Sequence, residues 1–231
     1  MKNSKDYGAK IDKLFKSLKK DNSAIKPVTY KEPVDAMVYA FVSAFTTEAN
    51  AAKMIKRIHS HFVDVNDLRV SRPEEIVEVF GEMTDAAAAS AQAMTTALNA
   101  IFEKYDKVSL DALCGEGKRQ ARKELEQIAG VTPFVAAYTT LTAFGGHAIP
   151  LTDRMVDYLK QNELVDPEAT TEAIESFLER HISAADAYSF YALLRAEAEG
   201  GRKPAAGGAK PKPAAKTATK KPAAKKKSAA K

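Results

Sequence analysis

The sequence predicts an all-α fold, on three observations. Apolar residues recur at i, i+3, i+4 and i+7 through most of the chain. No stretch shows sustained period-two alternation of β-branched residues. Helix start and stop signals, with Ser, Thr or Pro at the openings and Gly at the ends, separate the apolar runs into segments of helical length.

Taken in order, residues 9–20 place Ile11, Leu14, Phe15 and Leu18 on one face and lysines on the others. A basic amphipathic helix can lie on DNA or a membrane surface. Docking on the body with the lysine face solvated is the expectation here. Residues 26–33 form an extended connector, because the residues before Pro27 and Pro33 are biased away from helix. Val34, Met37, Val38, Phe41 and Phe45 then mark one face of a buried helix over 34–45. In 71–81, Ser71 and Glu74 have capping-box spacing, Pro73 falls in the first turn and Gly81 is the stop. Residues 84–105 form a long Ala-rich helix whose small side chains permit close approach of a neighbour, and 109–113 a short turn of helix. Segments 118–128, 133–144, 153–162, 168–181 and 184–199 complete the helical body.

Charge divides the chain differently. Of 35 basic residues, 11 lie from Gly200 onward, where there is no acid, leaving 24 basic against 30 acidic residues in 1–199. Residues 1–30 carry 8 lysines and 3 acids, so 31–199 holds 16 basic and 27 acidic residues, a net of −11. The expected organisation is a basic N-terminal helix and connector (1–30), an acidic helical domain (31–199) and a Lys/Ala/Pro-rich tail (200–231). The tail has no apolar face to bury and is expected to be disordered.

A lone cysteine, Cys114, excludes an intrachain disulfide and any four-thiolate metal or iron–sulfur site within one chain. It is expected as a small buried apolar residue. No apolar run reaches the length of a membrane span, and the N-terminus lacks the apolar stretch of a secretory signal. A cytoplasmic location is expected. His59 and His61 lie two apart, on different helix faces, and no metal or cofactor is expected.

Between 118–128 and 133–144 the chain turns through Ala129-Gly130-Val131-Thr132. Gly130 suits a left-handed helix end, Thr132 an N-cap and Pro133 the first helical position. Two helices joined by such a turn look like a helix–hairpin–helix, over 118–145. In that motif backbone N–H groups at the turn hold a DNA phosphate. Ile128-Ala129-Gly130-Val131, followed by Ala136, Thr142-Ala143-Phe144-Gly145, Ile149 and Leu151, resembles the endonuclease III branch of the helix–hairpin–helix DNA glycosylases. Upstream, Phe41-Val42-Ser43-Ala44-Phe45-Thr46-Thr47-Glu48 resembles that family's early helix, which usually reads Leu-Leu-Ser-Ala-Gln-Ala-Thr-Asp. The resemblance covers roughly 33–197. It implies a two-lobed all-helical fold, base-excision chemistry on DNA, and a nucleoid-associated location.

The same comparison implies missing chemistry. The family turn reads Gly-Val-Gly-Arg-Lys, and its lysine forms the Schiff base of the bifunctional members. The matching residues are Gly130, Val131, Thr132, Pro133 and Phe134, so that imine is unavailable. Pro133 also removes a backbone N–H from the phosphate grip. The family's catalytic aspartate, in Val-Asp-Thr-His, falls on Thr152 of Leu151-Thr152-Asp153-Arg154. Asp153 lies one residue on, about 100° around a helix, and is the remaining carboxylate for acid/base work. As a structural residue it would complement the helix dipole beside a Thr152 cap. The glutamine that fills the space of a flipped base corresponds to Phe45, and the column of the first cluster cysteine falls at Ala198.

Three functions follow as expectations. The first is a catalytically degenerate DNA-associated protein on this scaffold, binding non-specifically and in a salt-sensitive way through the tail cations Arg202, Lys203, Lys210, Lys212, Lys216, Lys220, Lys221, Lys225, Lys226, Lys227 and Lys231. Gly130 and Thr132 at the turn, with Arg119, Arg122 and Lys123 before it, are the expected local contacts. The second is an active monofunctional glycosylase using Asp153. The third, last in order, is a protein-interaction module in which the acidic body recruits partners and the tail tethers it to nucleic acid or an acidic surface; the partners are unknown and no membrane is expected.

Overall fold

The computed structural model describes residues 4–21 and 25–200. The basic tail from 201 onward lies outside the described residues. Twelve helices occur among them, in the order α1 (Ser4–Asp21), α2 (Pro33–Phe45), α3 (Glu48–His61), α4 (Val65–Val70), α5 (Pro73–Phe80), α6 (Asp85–Tyr105), α7 (Asp111–Cys114), α8 (Lys118–Glu126), α9 (Pro133–Thr142), α10 (Asp153–Gln161), α11 (Thr171–His181) and α12 (Ala187–Gly200). No strand is present among the described residues.

Cap chemistry sets most of these boundaries. The side chains of Thr47, Asp64, Thr84, Thr132, Thr152 and Thr170 each accept a backbone N–H at the opening of α3, α4, α6, α9, α10 and α11. Gly81 closes α5 at φ +72°. The capping-box expectation at Ser71 fails. Its hydroxyl donates back to the Asp67 carbonyl at 2.9 Å and closes α4, a helix the periodicity did not reveal, while Arg72 precedes Pro73 without a side-chain cap.

The helices form two lobes over one continuous apolar core. α2 is the centre of the first lobe, packing on α3, α6 and α9, and α5 lies across α3 and α6. α8 packs along α9. In the second lobe the chain ends meet: α12 packs on α1 and α10, and reaches α9. Ile11, Leu14, Phe15 and Leu18 are all buried, as the lysine-faced helix required, and Phe15 meets Phe190 edge-on at 5.3 Å. Lys19 pairs with Asp186 at 2.6 Å and His181 contacts Asp12 at 3.0 Å, fastening the rim of this contact.

The junction between the lobes is polar and aromatic. Arg195, only 2% exposed, reaches from α12 to the end of α2. Its guanidinium donates to the carbonyls of Ser43 at 2.7 Å and Thr46 at 3.0 Å, to the Tyr191 hydroxyl at 2.8 Å and to Glu199 at 2.7 Å. The last carbonyls of a helix have no intrahelical donor and carry the negative end of its dipole. A buried cation there satisfies both deficits. Burial opposes the charge, yet Tyr191, Glu48 and Glu199 together raise the Arg195 pKa above its ordinary value.

Beside it Tyr138 stacks on Tyr39 and Phe134 and meets Tyr191 edge-on. Its hydroxyl lies 2.6 Å from that of Tyr30. Burial pushes the phenols of Tyr30, Tyr39, Tyr138 and Tyr191 above their usual range.

On α11, Glu175 is 7% exposed and its Oε1 has no hydrogen-bond partner. Burial pushes its carboxyl up to about 7, against the attraction of Arg122 and with repulsion from Glu179, Glu172 and Glu126.

Two outcomes follow. Arg195→Leu leaves the Ser43 and Thr46 carbonyls without the guanidinium and Glu199 with only the Glu48 N–H, and is expected to lower unfolding stability by about 3 kcal/mol in denaturant titrations. Glu175 is protonated more readily folded than unfolded, so its contribution is fully present below about pH 4.5 and is lost as pH rises through about 7. Across that window stability should fall in wild type relative to Glu175→Gln, by about 1–2 kcal/mol in pH-resolved unfolding curves.

Candidate functional site

The hairpin turn is built from conformational constraint. α8 ends at Glu126, and Gly130 takes φ +83°, a left-handed conformation that a Cβ disfavours. A Cβ at Gly130 would also lie 2.4 Å from the Ala93 carbonyl oxygen and 3.0 Å from the Ala97 nitrogen of α6. The turn therefore rests directly on the α6 backbone, and the alanines of α6 make room for it. Gly130 acts here as a packing residue as well as a turn residue.

At the turn's far side Ala129, Thr132 and Pro133 are exposed. The Thr132 hydroxyl accepts the Val135 N–H at 3.4 Å and its carbonyl accepts the Ala136 N–H at 2.9 Å. Pro133 has no N–H, so the Phe134 amide is the donor left in the first turn of α9. Its side chain is buried against Tyr138, with the Arg195 guanidinium 6.0 Å from its ring centre. Phe134, which the resemblance aligns with the family lysine, is thus part of the core.

In front of the turn lies a cleft of about 420 Å³. The end of α2 supplies Phe41 and Phe45, α6 supplies Ser90 and Ala93, and the start of α9 supplies Thr132 and Val135. The start of α10 closes it with Thr152, Asp153 and Arg154. Ser90 donates to the Phe41 carbonyl at 2.7 Å and ties α6 to α2 along this wall. Phe45 is half-buried, its ring 5.6 Å from that of Phe80, so it belongs to both core and cleft wall.

Asp153 is the only carboxylate among the residues lining this cleft. It is exposed and makes no hydrogen bond or ion pair among the described residues. Thr152 is buried and spends its hydroxyl on the Met155 N–H at 3.4 Å, so the threonine is a cap. Asp153 and Asp157 are both exposed, with no group of metal-ligating side chains around them among the described residues.

The basic residues of α8 are not brought to this cleft. Arg122 is held by Glu179 at 2.6 Å and Glu126 at 2.9 Å, bonds that outweigh its burial and keep it more firmly protonated than usual. Arg119 faces α11, and Lys123 is exposed with no ion pair among the described residues. Arg154 on the cleft wall is the cation that sequence reasoning passed over; its place just after Thr152 at a helix start was the available signal. Cys114 departs from the buried role expected of it: it is exposed at the end of the short α7. Local burial, with Asp111 and Glu32 nearby, raises its thiol pKa, away from the thiolate a nucleophile needs.

Twelve helices, a glycine-hinged hairpin and an interlobe cleft at its foot together define the fold of the helix–hairpin–helix DNA glycosylases. The chain superposes on endonuclease III trapped as a covalent DNA intermediate with a TM-score of 0.64 at 18% identity, covering 85% of this chain and 86% of that one. Against Clostridium acetobutylicum 8-oxoguanine glycosylase/lyase bound to double-stranded DNA the TM-score is 0.66 at 16% identity, over 85% and 71% of the two chains. The H. pylori 3-methyladenine DNA glycosylase bound to 1,N6-ethenoadenine gives 0.61 at 13%, over 83% and 98%. No family model matches the chain, and no curated protein matches its sequence.

Gly130→Ala adds a Cβ where the backbone is left-handed and the Ala93 carbonyl is in the way. A loss of about 2–4 kcal/mol in thermal or denaturant unfolding is expected. Gly115→Ala, where a Cβ meets nothing within 4 Å, is the control and should change stability by less than about 1 kcal/mol.

Proposed function

We propose that this chain is a DNA-associated protein on a helix–hairpin–helix glycosylase scaffold, without the imine chemistry of the bifunctional enzymes. The observation that carries this reading is Phe134, buried in the aromatic junction where the resemblance calls for a lysine nucleophile. The turn offers a phosphate a short exposed surface and a single first-turn amide, a weak grip. Most of the affinity then comes from the 11 cations from Gly200 onward, engaging phosphates without regard to sequence. Counterion release by these cations makes the complex salt-sensitive, and the acidic body works against the attraction.

A second reading is favoured by Asp153. An exposed, unpartnered carboxylate in a cleft of about 420 Å³, with Phe41 and Phe45 on one wall, has the surroundings of a monofunctional glycosylase. It would accept a proton from water as that water attacks C1′ of the sugar, or stabilise the cationic sugar while the base departs. Its displacement from the aspartate column of the resemblance ranks this reading second.

The deciding experiment measures binding and base release on duplexes carrying uracil, an oxidised pyrimidine or an alkylated purine. Full-length protein, a chain ending at residue 200 and Asp153→Asn are compared. The first reading expects no base release, with log affinity falling against log salt by about 0.9 per phosphate engaged and most of that slope lost with the tail. Base release that disappears in Asp153→Asn overturns it and establishes the second.

A further inference from the structure

A second pocket, of about 680 Å³, opens between α8 and α11 at the other end of the hairpin helices from the cleft. Thr132 on the cleft wall and Thr140 in this pocket are eight residues apart on α9, about 12 Å along the helix. Lys118, Arg119, Arg122 and Arg180 line it together with His147, and Glu179 is the only carboxylate on its walls. The lining is therefore strongly cationic in a domain that is acidic overall.

Two further observations point to a ligand. The first is local. α8 begins at Lys118-Arg119 after Gly117, which provides no side-chain cap, and has no acid in its first turn. The positive end of a helix dipole favours acids, so cations placed there are mutually unfavourable with it unless an anion is present. Amides and basic side chains at one helix start make an anion site. The second is a missing partner. Thr140 is 1% exposed, forms part of the pocket lining, and its hydroxyl oxygen has no hydrogen-bond partner. Buried hydroxyls are nearly always satisfied. Lys118 is partly committed, donating to the Gly145 carbonyl at 2.5 Å, and Arg122 is paired with Glu179 and Glu126. Arg119 and Arg180 are exposed and have no ion pair among the described residues, so they remain to bind.

We propose that this pocket is a second anion site that takes a phosphate ester, separate from the cleft and the hairpin turn. Arg119 and Arg180 would hold the phosphate oxygens from two helices, the α8 amides would meet it axially, and Thr140 would gain its absent partner through a small side-chain adjustment. The phosphate belongs either to a free phosphate ester or to DNA backbone passing behind the hairpin. The inference does not depend on the function proposed for the cleft.

The test uses isotope-labelled full-length protein and inorganic phosphate as probe, at ionic strength held constant with chloride. His147 is exposed on the pocket wall, whereas His61 contacts Glu75 and His181 contacts Asp12 elsewhere, so its ring resonances report the site. A saturable shift at His147 is expected, weakened about tenfold or more in Arg119→Ala/Arg180→Ala and by a smaller factor in Thr140→Val. The tail cations are common to all three proteins and cannot produce the difference. No saturable shift, or the same apparent affinity in the double variant with its spectrum otherwise intact, overturns the proposal. Once the shift is established, an undamaged duplex is added: reversal of the His147 shift assigns the phosphate to the DNA backbone, and persistence assigns it to a free phosphate ester.

Discussion

One buried guanidinium holds the two lobes in register. Arg195 leaves α12, crosses the lobe junction and ends on the carbonyls that close α2, with Tyr191 and Glu199 completing its donors' needs. Because α2 is the central helix of the first lobe and its last turn forms one wall of the cleft, this contact sets where that wall stands. An apolar residue could pack the space, but it could not satisfy the carbonyls of Ser43 and Thr46. The cleft's shape thus depends on a residue that does not line it.

The opposite wall depends on the absence of side chain. Gly130 and the alanines of α6 bring the hairpin turn against a helix backbone, so the turn's exposed face is presented at one distance from the cleft. Small residues in α6 have little to do with helix propensity here; they permit the contact. The cleft thus has one wall fixed by a buried cation and the other by close backbone packing, with one exposed carboxylate on its rim. A fold persists through packing while a reaction depends on a few side chains, so the shape of the cleft does not by itself fix what happens in it.

Much of the fold was legible in the sequence. Helical periodicity placed the buried faces of α1 and α2, and threonines before α9 and α10 marked their starts. Apart from α3 (Glu48–His61), read as helical only at His59 and His61, what escaped was short or non-local. α4, at Val65–Val70, is under two turns and too brief for periodicity to register. Ser71 had the spacing of an N-cap but bonded backward, since a hydroxyl between two helices can serve either. Arg195 carried no signal in the sequence, since nothing in its neighbours announces partners some 150 residues earlier. Arg119 and Arg122 precede the turn in sequence yet face α11, because α8 buries Ala121 and Leu125 and so directs them away from the cleft. Asp153 was legible as the remaining carboxylate, but only the fold put it on the cleft wall.

The aromatic junction gives the molecule an optical character of its own. The chain has no tryptophan, and of its eight tyrosines Tyr30, Tyr39, Tyr138, Tyr188 and Tyr191 form one connected cluster around Arg195. Near-ultraviolet dichroism is strongest for rings held in fixed mutual orientation, so that signal comes chiefly from the seam between the lobes. Five of the eight tyrosine chromophores therefore report on a single place, the seam between the lobes.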